Sequence, residues 1–187
     1  MTFFRDFVII NKVMERIYYT DKRAFDKTDD AIRLILQRDY AIENACILRT
    51  ENGKPYLENS PLFFSVSHTA DTIFIAVARE NVGIDAEKIN RDVHLETIIK
   101  KFKNEERAEI RSKEDFLRHW IAKESAVKWL GGTLARDLYK LDYLDGKMRY
   151  GEIEMPVLFT FLRIDDTLLC VCGERDFSCA EHILLTK

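Results

Sequence analysis

The sequence predicts an α+β protein built from two similar α/β halves. The main observation is a weak internal repeat: the stretch PLFFSVSHTADTIFIAVA, which begins at Pro61, aligns without a gap with PVLFTFLRIDDTLLCVCG, which begins at Pro156. Each stretch carries an Asp-Thr pair followed by an apolar strand. Because the two stretches are about half a chain length apart, we expect a pseudo-dimer within one polypeptide.

A similar turn precedes each copy of the repeat. These turns are Asn52-Gly53-Lys54 and Asp145-Gly146-Lys147, and both Asn-Gly and Asp-Gly favour tight hairpins. The predicted boundary lies near Val82 and divides the chain into residues 1–81 and 82–187. Since both halves of a two-fold site would then lie in one chain, we expect a monomer.

The elements of the first half follow from apolar periodicity and turn residues. Thr28–Tyr40 shows the apolar spacing of a helix. Short apolar runs bounded by turn residues predict strands. These strands are Phe3–Ile10, Cys46–Thr50, Pro55–Leu57, Leu62–Val66 and Thr72–Arg79.

The second half is predicted to begin with the strand Val82–Glu87 and to continue with three helices. Two of these are short, His94–Phe102 and Glu105–Arg111. The third, Lys113–Leu130, has a serine as its N-terminal cap, an aspartate three residues later, and two glycines at its end. The remaining predicted strands are Lys140–Leu144, Met148–Tyr150, Val157–Ile164, Thr167–Gly173 and Ile183–Leu185.

Composition is typical of a soluble globular protein and argues against several functions. The 187 residues are 47% hydrophobic and 33% charged, with a formal net charge of −3. That charge provides no basic field for nucleic acid. No apolar run approaches the roughly 20 residues of a membrane span. The four cysteines form no CxxC pair, which favours reduced thiols and a cytoplasmic location.

A glutamate interrupts the apolar face of the longest predicted helix. At about 100° per residue, Phe116, Trp120, Glu124 and Lys128 fall in one row. A buried carboxylate without a partner is costly, so Glu124 should be neutralised, paired or bound to a metal. The simpler alternative is an ion pair between Glu124 and Lys128, four residues later.

Two further carboxylates lie on one face of the strand VGIDAEK. Asp85 and Glu87 are two residues apart, so their side chains point the same way. They repel each other unless a cation lies between them, although a solvent-exposed strand end would also tolerate them. A hard cation held by Asp85, Glu87 and Glu124 explains all three carboxylates. Oxygen ligands favour Mg²⁺, which usually also binds substrate phosphates.

Taken in order, the motifs resemble those of the Sfp-like 4′-phosphopantetheinyl transferases. The resemblance extends from about Asp29 to Leu138 and is most specific at the W-x-x-K-E-S-x-x-K motif with its upstream GID-x-E. The matching residues are Gly53-Lys54-Pro55, Ser65-Val66-Ser67-His68, Gly83-Ile84-Asp85 with Glu87, Phe102 with Glu106, and Trp120 to Ser125 with Lys128.

This resemblance implies a pseudo-dimeric α/β fold and a specific reaction. The phosphopantetheine arm of coenzyme A would pass to a serine of an apo acyl or peptidyl carrier protein, and adenosine 3′,5′-bisphosphate would be released. Mg²⁺, or Mn²⁺, would be held by Asp85, Glu87 and Glu124. A carrier protein and coenzyme A would be the partners.

The resemblance also assigns roles to other residues. Coenzyme A would be bound by Lys54, Pro55, Ser67, His68, Asp85, Lys123 and Lys128. Lys128 would stabilise or protonate the leaving phosphate, and Glu106 would be the base for the incoming serine. We expect Glu106 to be accessible, because it lies in a charged segment near a helix start. Thr133 stands where the family often has a second glycine, so the loop after the long helix is not predictable.

Two other functions are compatible with the residues. Asp85, Glu87 and Lys88 could form the acid-x-Lys core of a two-metal nuclease, although the balanced charge and Glu124 argue against this. A carrier-binding module without activity is the other alternative. The segment Lys100–His119 has more basic than acidic residues, which suits docking of an acidic carrier and equally a solvated pair of helices.

Overall fold

The computed structural model describes residues 15–91 and 98–187. The predicted strand Phe3–Ile10 and the first four residues of the predicted helix His94–Phe102 lie outside these residues. The described elements are β1 (Arg16–Asp21), α1 (Thr28–Tyr40), β2 (Ile47–Arg49), β3 (Pro55–Leu57), β4 (Phe63–His68), β5 (Thr72–Ala78), β6 (Val82–Lys88), α2 (Asn104–Glu109), α3 (Lys113–Leu130), α4 (Leu134–Asp137), β7 (Leu141–Leu144), β8 (Lys147–Tyr150), β9 (Ile153–Glu154), β10 (Leu158–Ile164), β11 (Thr167–Gly173) and β12 (Glu181–Leu184).

These elements confirm the predicted α+β class. One sheet has the order β12-β1-β5-β4, and a second has the order β10-β11-β6. Strands β1, β5 and β4 are antiparallel, whereas β12 runs parallel to β1. Since β12 comes from the end of the chain, it crosses the predicted boundary between residues 81 and 82. The pseudo-dimeric relation of the halves stays a prediction.

Three apolar clusters hold the layers together. Helix α1 packs on one face of the first sheet through residues such as Ile35 and Ile75. Helix α3 packs on one face of the second sheet, where Ile121 contacts the cluster around Cys170. The third cluster joins the facing sides of the two sheets and includes Ile84 of β6. Each sheet therefore buries both faces, and hydrophobic burial drives this arrangement.

Helix α3 has the boundaries that its sequence predicts. The Ser112 side chain accepts a hydrogen bond from the Asp115 N–H at 3.1 Å, which caps the helix start. Gly131 ends the helix with a left-handed φ of 63°. No helix in the described ranges is long and apolar enough to cross a membrane.

Gly83 allows α3 to lie directly against β6. A Cβ atom at this position would stand 1.9 Å from the Ser125 carbonyl oxygen and 2.6 Å from the Trp129 nitrogen. Both of those atoms belong to the backbone, so a small side-chain rearrangement could not relieve the overlap. The glycine therefore sets the distance between the strand that carries Asp85 and the helix that carries Glu124.

We predict that Gly83→Ala lowers the free energy of unfolding by about 2 kcal/mol or more, because the overlap forces a helix and a strand apart. Gly151→Ala is the matched control: its Cβ would meet nothing within 4 Å, and only its left-handed φ of 63° is unfavourable, which costs about 1 kcal/mol. Urea unfolding of both variants measures the difference. An equal or smaller loss at Gly83 would contradict the close packing.

Candidate active site

The outer edge of β6 is completed by serine side chains from β4. Among the described strands, β6 pairs with β11 on one side and forms the edge of its sheet. On the other side, the Ile84 N–H donates to Ser65 Oγ and the Ala86 N–H donates to Ser67 Oγ, both at 3.1 Å. Both serines are buried. The Ser-x-Ser pattern therefore joins the two sheets where strand pairing does not.

Two lysines complete the same edge through its carbonyl oxygens. Lys54 Nζ donates to the Val82 oxygen at 3.0 Å, and Lys128 Nζ donates to the Ile84 oxygen at 2.9 Å. Lys54 comes from the turn before β3, and Lys128 comes from the last turn of α3. The edge of β6 thus collects hydroxyl and ammonium groups from three separate elements.

Asp85 lies at the centre of this arrangement and is only 4% exposed. Its Oδ1 accepts hydrogen bonds from Ser67 Oγ at 2.9 Å and from Lys128 Nζ at 2.7 Å. Its Oδ2 is buried and has no hydrogen-bond partner among the described residues. An unpaired buried carboxylate oxygen is costly, so Asp85 has one oxygen available for a further ligand.

Glu124 faces Asp85 from helix α3. Burial, followed by the negative charges of Asp85 and Glu87, raises the pKa of Glu124 to about 8, although Lys128 and Arg91 oppose the shift. Lys128 forms its salt bridge with Asp85, which differs from the simple Glu124–Lys128 pair. The raised pKa shows that the ionised form of Glu124 is disfavoured by burial and by Asp85 and Glu87, as expected from the sequence for a buried carboxylate.

The carboxylate oxygens of Asp85, Glu87 and Glu124 are suitable ligands for a hard cation. In this arrangement, protein cations pair with two of these carboxylates. Among the described residues, no three histidine, cysteine, aspartate or glutamate side chains are gathered as a ready metal site. Instead Lys128 pairs with Asp85, and Arg91 pairs with Glu87. The unpartnered Oδ2 of Asp85 and the raised pKa of Glu124 both indicate missing positive charge, which a divalent cation would supply.

A cleft of about 290 Å³ lies beside this cluster. It is bordered by the turn before β3, by β4 and by the end of α3. Lys128 lines the cleft and also contacts Asp85, so it connects the cleft with the carboxylates. The lining residues are Thr28, Arg49, Asn52, Gly53, Lys54, Pro55, Ser65, Val66, His68, Lys128, Gly131 and Gly132.

The described geometry brings together several of the predicted site residues. Pro55, His68 and Lys128 line the cleft. Ser67 is buried and donates a hydrogen bond to Asp85. His68 Nε2 lies 2.9 Å from Thr28 Oγ1. Partial removal from water, together with nearby Lys22 and Lys128, lowers the pKa of His68.

Arg49, Thr28 and Asn52 line the cleft but are not predicted from the sequence. Arg49 donates to the Gly53 carbonyl oxygen at 3.3 Å and pairs with Asp29 at the start of α1. The available signal is its position just before the NGK turn, where a side chain on β2 can reach back to the turn. A lone arginine on a short strand is too common to be assigned a role from sequence.

Glu106 and Lys123 do not lie where the sequence analysis places them. Glu106 is fully buried, and its Oε2 accepts from Lys123 Nζ at 2.7 Å while its Oε1 accepts from the Tyr143 N–H at 3.0 Å. The expectation of an accessible Glu106 is therefore wrong. Lys123, predicted to bind coenzyme A, is 2% exposed and lies over the Phe102 ring. Both side chains are occupied in a buried ion pair between α2 and α3.

Comparison with known proteins finds a family model that matches part of the chain. Residues 81–153 match the family model described as the 4′-phosphopantetheinyl transferase superfamily. That match contains β6 with Asp85 and α3 with Glu124 and Lys128, the elements that form the carboxylate cluster. These 73 of the 187 residues are similar to the 4′-phosphopantetheinyl transferase superfamily.

Curated members of the superfamily align with most or part of the chain. It is 28% identical over 166 residues to the 4′-phosphopantetheinyl transferase psf-1 of Bacillus pumilus, an alignment covering 81% of the chain and 71% of the relative. It is also 28% identical over 140 residues to the 4′-phosphopantetheinyl transferase Sfp of Bacillus subtilis, with coverage of 68% and 61%.

A third relative in the superfamily is the L-aminoadipate-semialdehyde dehydrogenase-phosphopantetheinyl transferase of Rattus norvegicus. The chain is 33% identical to it over 117 residues, which cover 51% of the chain and 37% of the relative. The chain thus matches little more than a third of the length of this relative.

We predict that Glu124 makes apo-protein stability depend on pH. The pKa of Glu124 is about 8 in the folded state and near its ordinary value of 4.5 in the unfolded state, so the folded state binds more protons between these values. The free energy of unfolding therefore falls as pH rises from about 4.5 to about 8. Glu124→Gln should lose this dependence.

Urea unfolding in excess chelator from pH 5 to pH 9 measures the effect. The stability of Glu124→Gln relative to wild type should rise through that window. Glu114→Gln, at a half-exposed position on the same helix, should follow the wild-type curve. Parallel curves for wild type and Glu124→Gln would show that Glu124 is not perturbed in this way.

We also predict that Lys123→Met destabilises the protein by about 3–5 kcal/mol, because it leaves the buried Glu106 carboxylate without its cation. The double variant Glu106→Gln/Lys123→Met should recover part of this loss, since it removes both charges. Lys113→Met, an exposed change on the same helix, should stay within about 0.5 kcal/mol of wild type. A loss under about 1 kcal/mol for Lys123→Met would contradict the buried pair.

Proposed function

We propose that the protein transfers the 4′-phosphopantetheine arm of coenzyme A to a serine of an apo carrier protein. The observation that carries this proposal is the position of Lys128, which lines the cleft and also bonds to Asp85. A phosphate group in the cleft would therefore lie between the cationic side chains and the carboxylate cluster. Phosphoryl transfer depends mainly on such positioning and charge neutralisation.

The cleft has complementary groups for a nucleotide with several phosphates. Arg49 is always cationic, and Lys128 provides an ammonium group in the same cleft. The backbone of Gly53 and Pro55 forms an uncharged edge, which we assign to the adenine. His68 and Thr28 form a linked polar pair on β4 and α1 and are assigned to phosphate binding. Ser67 acts by holding Asp85.

Asp85, Glu87 and Glu124 are the residues that would hold Mg²⁺, with Mn²⁺ as the alternative. The cation would supply positive charge on the pyrophosphate of coenzyme A. To admit it, Lys128 and Arg91 must give up their pairs with Asp85 and Glu87. Lys128 would then be free to turn towards the phosphates, since its side chain already lies at the cleft wall.

The bonds that form and break in the proposed transfer indicate a role for Lys128. The serine oxygen forms a bond to the phosphorus of phosphopantetheine, and the bridging bond of the pyrophosphate breaks. The serine loses its proton to a base, and adenosine 3′,5′-bisphosphate leaves with additional negative charge. We assign Lys128 to stabilise or protonate that leaving phosphate. Glu106 is buried against Lys123, so its role is to hold α2 on the core.

The surface beside α3 suits an acidic partner. Lys100, Lys101, Arg107 and Arg111 are exposed in and on either side of α2. Arg107 also binds the main-chain oxygens of Phe102 and Lys100, which fixes its position. We assign this basic surface to docking of the carrier protein, where charge complementarity would speed association.

Incubation with coenzyme A, Mg²⁺ and a panel of apo carrier proteins tests the proposed reaction. We expect the mass of at least one carrier to increase by one phosphopantetheine arm. Asp85→Ala should abolish this increase, because it removes the anchor of the carboxylate cluster, and excess chelator should do the same. Glu154→Ala, an exposed change on β9, is the folded control.

The same experiment separates the alternatives. A carrier that binds without gaining mass would indicate a non-catalytic binding module. Cleavage of a plasmid in the same buffer, with no change in carrier mass, would indicate a nuclease. Full transfer in excess chelator would contradict the cation, and no transfer to any carrier would contradict the proposed reaction. The members of the panel that react would identify the carrier class.

A further inference from the structure

The amino group of Lys54 lies between the start of β6 and the end of α3. Its Nζ donates to Asn81 Oδ1 at 2.6 Å, to the Val82 oxygen at 3.0 Å and to the Trp129 oxygen at 3.4 Å. These acceptors belong to the start of β6 and to the end of α3. The resemblance assigns Lys54 to the phosphates of coenzyme A, whereas its amino group has three protein partners.

The end of α3 is held by three side chains from the residues that precede β6. The last carbonyl groups of a helix have no partner within the helix. Here Asn81 Nδ2 donates to the Trp129 oxygen at 2.6 Å, and Asn52 Nδ2 donates to the Gly131 oxygen at 2.7 Å. Together with Lys54, these two asparagines form what we call the α3 clamp. The positive charge of Lys54 also interacts favourably with the negative, C-terminal end of the helix dipole.

The α3 clamp acts close to the groups assigned to catalysis. Lys128 is one residue before Trp129, and its carbonyl oxygen accepts a hydrogen bond from the Gly131 N–H. Gly131 borders the cleft, as do Gly53 and Lys54. A shift of the helix end would therefore move Lys128 relative to the other residues of the cleft.

We propose that Lys54 is a positioning residue, which fixes the end of α3 against β6 and so sets the place of Lys128 in the cleft. This inference rests on the proposed transferase function. Burial lowers the pKa of Lys54 to about 8, as expected for an amino group that is surrounded by protein atoms. A misplacement of about 1 Å can cost on the order of 100-fold in rate.

Asn81 gives an independent test, because it belongs to the α3 clamp but is not among the residues that line the cleft. Lys54→Met and Asn81→Ala should each lower kcat by about 10- to 100-fold. The dissociation constant of coenzyme A, measured by calorimetry without carrier, should change by less than about threefold. The double variant should be no worse than the stronger single variant, since residues that act together are not additive.

Two further variants keep the result interpretable. Lys54→Arg retains a charged donor and should recover part of kcat, and it replaces Lys54→Met if the latter does not fold. Lys147→Met, an exposed lysine change on β8, should match wild type. All kinetics are measured below the unfolding transition of each variant.

Three outcomes would overturn this assignment. If Lys54→Met weakens coenzyme A binding tenfold or more while Asn81→Ala does not, Lys54 contacts the substrate directly. If both variants lose thermal stability but keep wild-type kcat, the α3 clamp is only structural. If the wild-type protein modifies no carrier, the proposed function fails and the catalytic role of the clamp fails with it, whereas the first two outcomes leave that function intact.

Discussion

The outer edge of β6 is the constraint on which the rest of the structure depends. An edge strand presents backbone groups that need partners, and here they are provided by side chains. Ser65 and Ser67 accept from two N–H groups of the edge, while Lys54 and Lys128 donate to two of its carbonyl groups. The two sheets are thus joined without a shared ladder, and polar side chains become concentrated along one line.

This concentration of polar and charged side chains has an electrostatic cost. Asp85 lies on β6 between the residues bound by the two serines, and Gly83 lets α3 approach closely enough to bring Glu124 beside it. Burial and the negative charge of Asp85 then disfavour the ionised form of Glu124 and raise its pKa. Lys128 offsets part of this cost by binding Asp85 Oδ1, but Oδ2 stays without a partner. A hard cation would complete the charge balance.

Local sequence signals predicted some elements better than others. The boundaries of α1 and α3 match the predicted helices, because apolar period and end signals agree within one segment. The strand β1 was not predicted, since its alternation is short and its partner β12 lies at the other end of the chain. Parallel pairing over that sequence distance leaves no local trace.

The site residues also divide into those with a local sequence signal and those whose surroundings depend on distant elements. Asp85, Glu87 and Glu124 were selected as candidate ligands because carboxylates at these positions conflict with their local sequence pattern. Glu106 was expected to be exposed, because its neighbours in sequence are charged; its partners Lys123 and Tyr143 come from other elements. The hydrogen-bond and ion-pair partners of a side chain often come from elements that are distant in sequence, so they cannot be predicted from a single segment.

Amide hydrogen exchange at Ile84 and Ala86 tests most directly whether side chains complete the edge of β6. In the wild-type protein both N–H groups should be protected. Ser67→Ala should raise the exchange rate at Ala86 while Ile84 stays protected, and Ser65→Ala should do the reverse. Protection of both amides in the Ser65→Ala/Ser67→Ala double variant, or fast exchange of both in the wild type, would contradict the account.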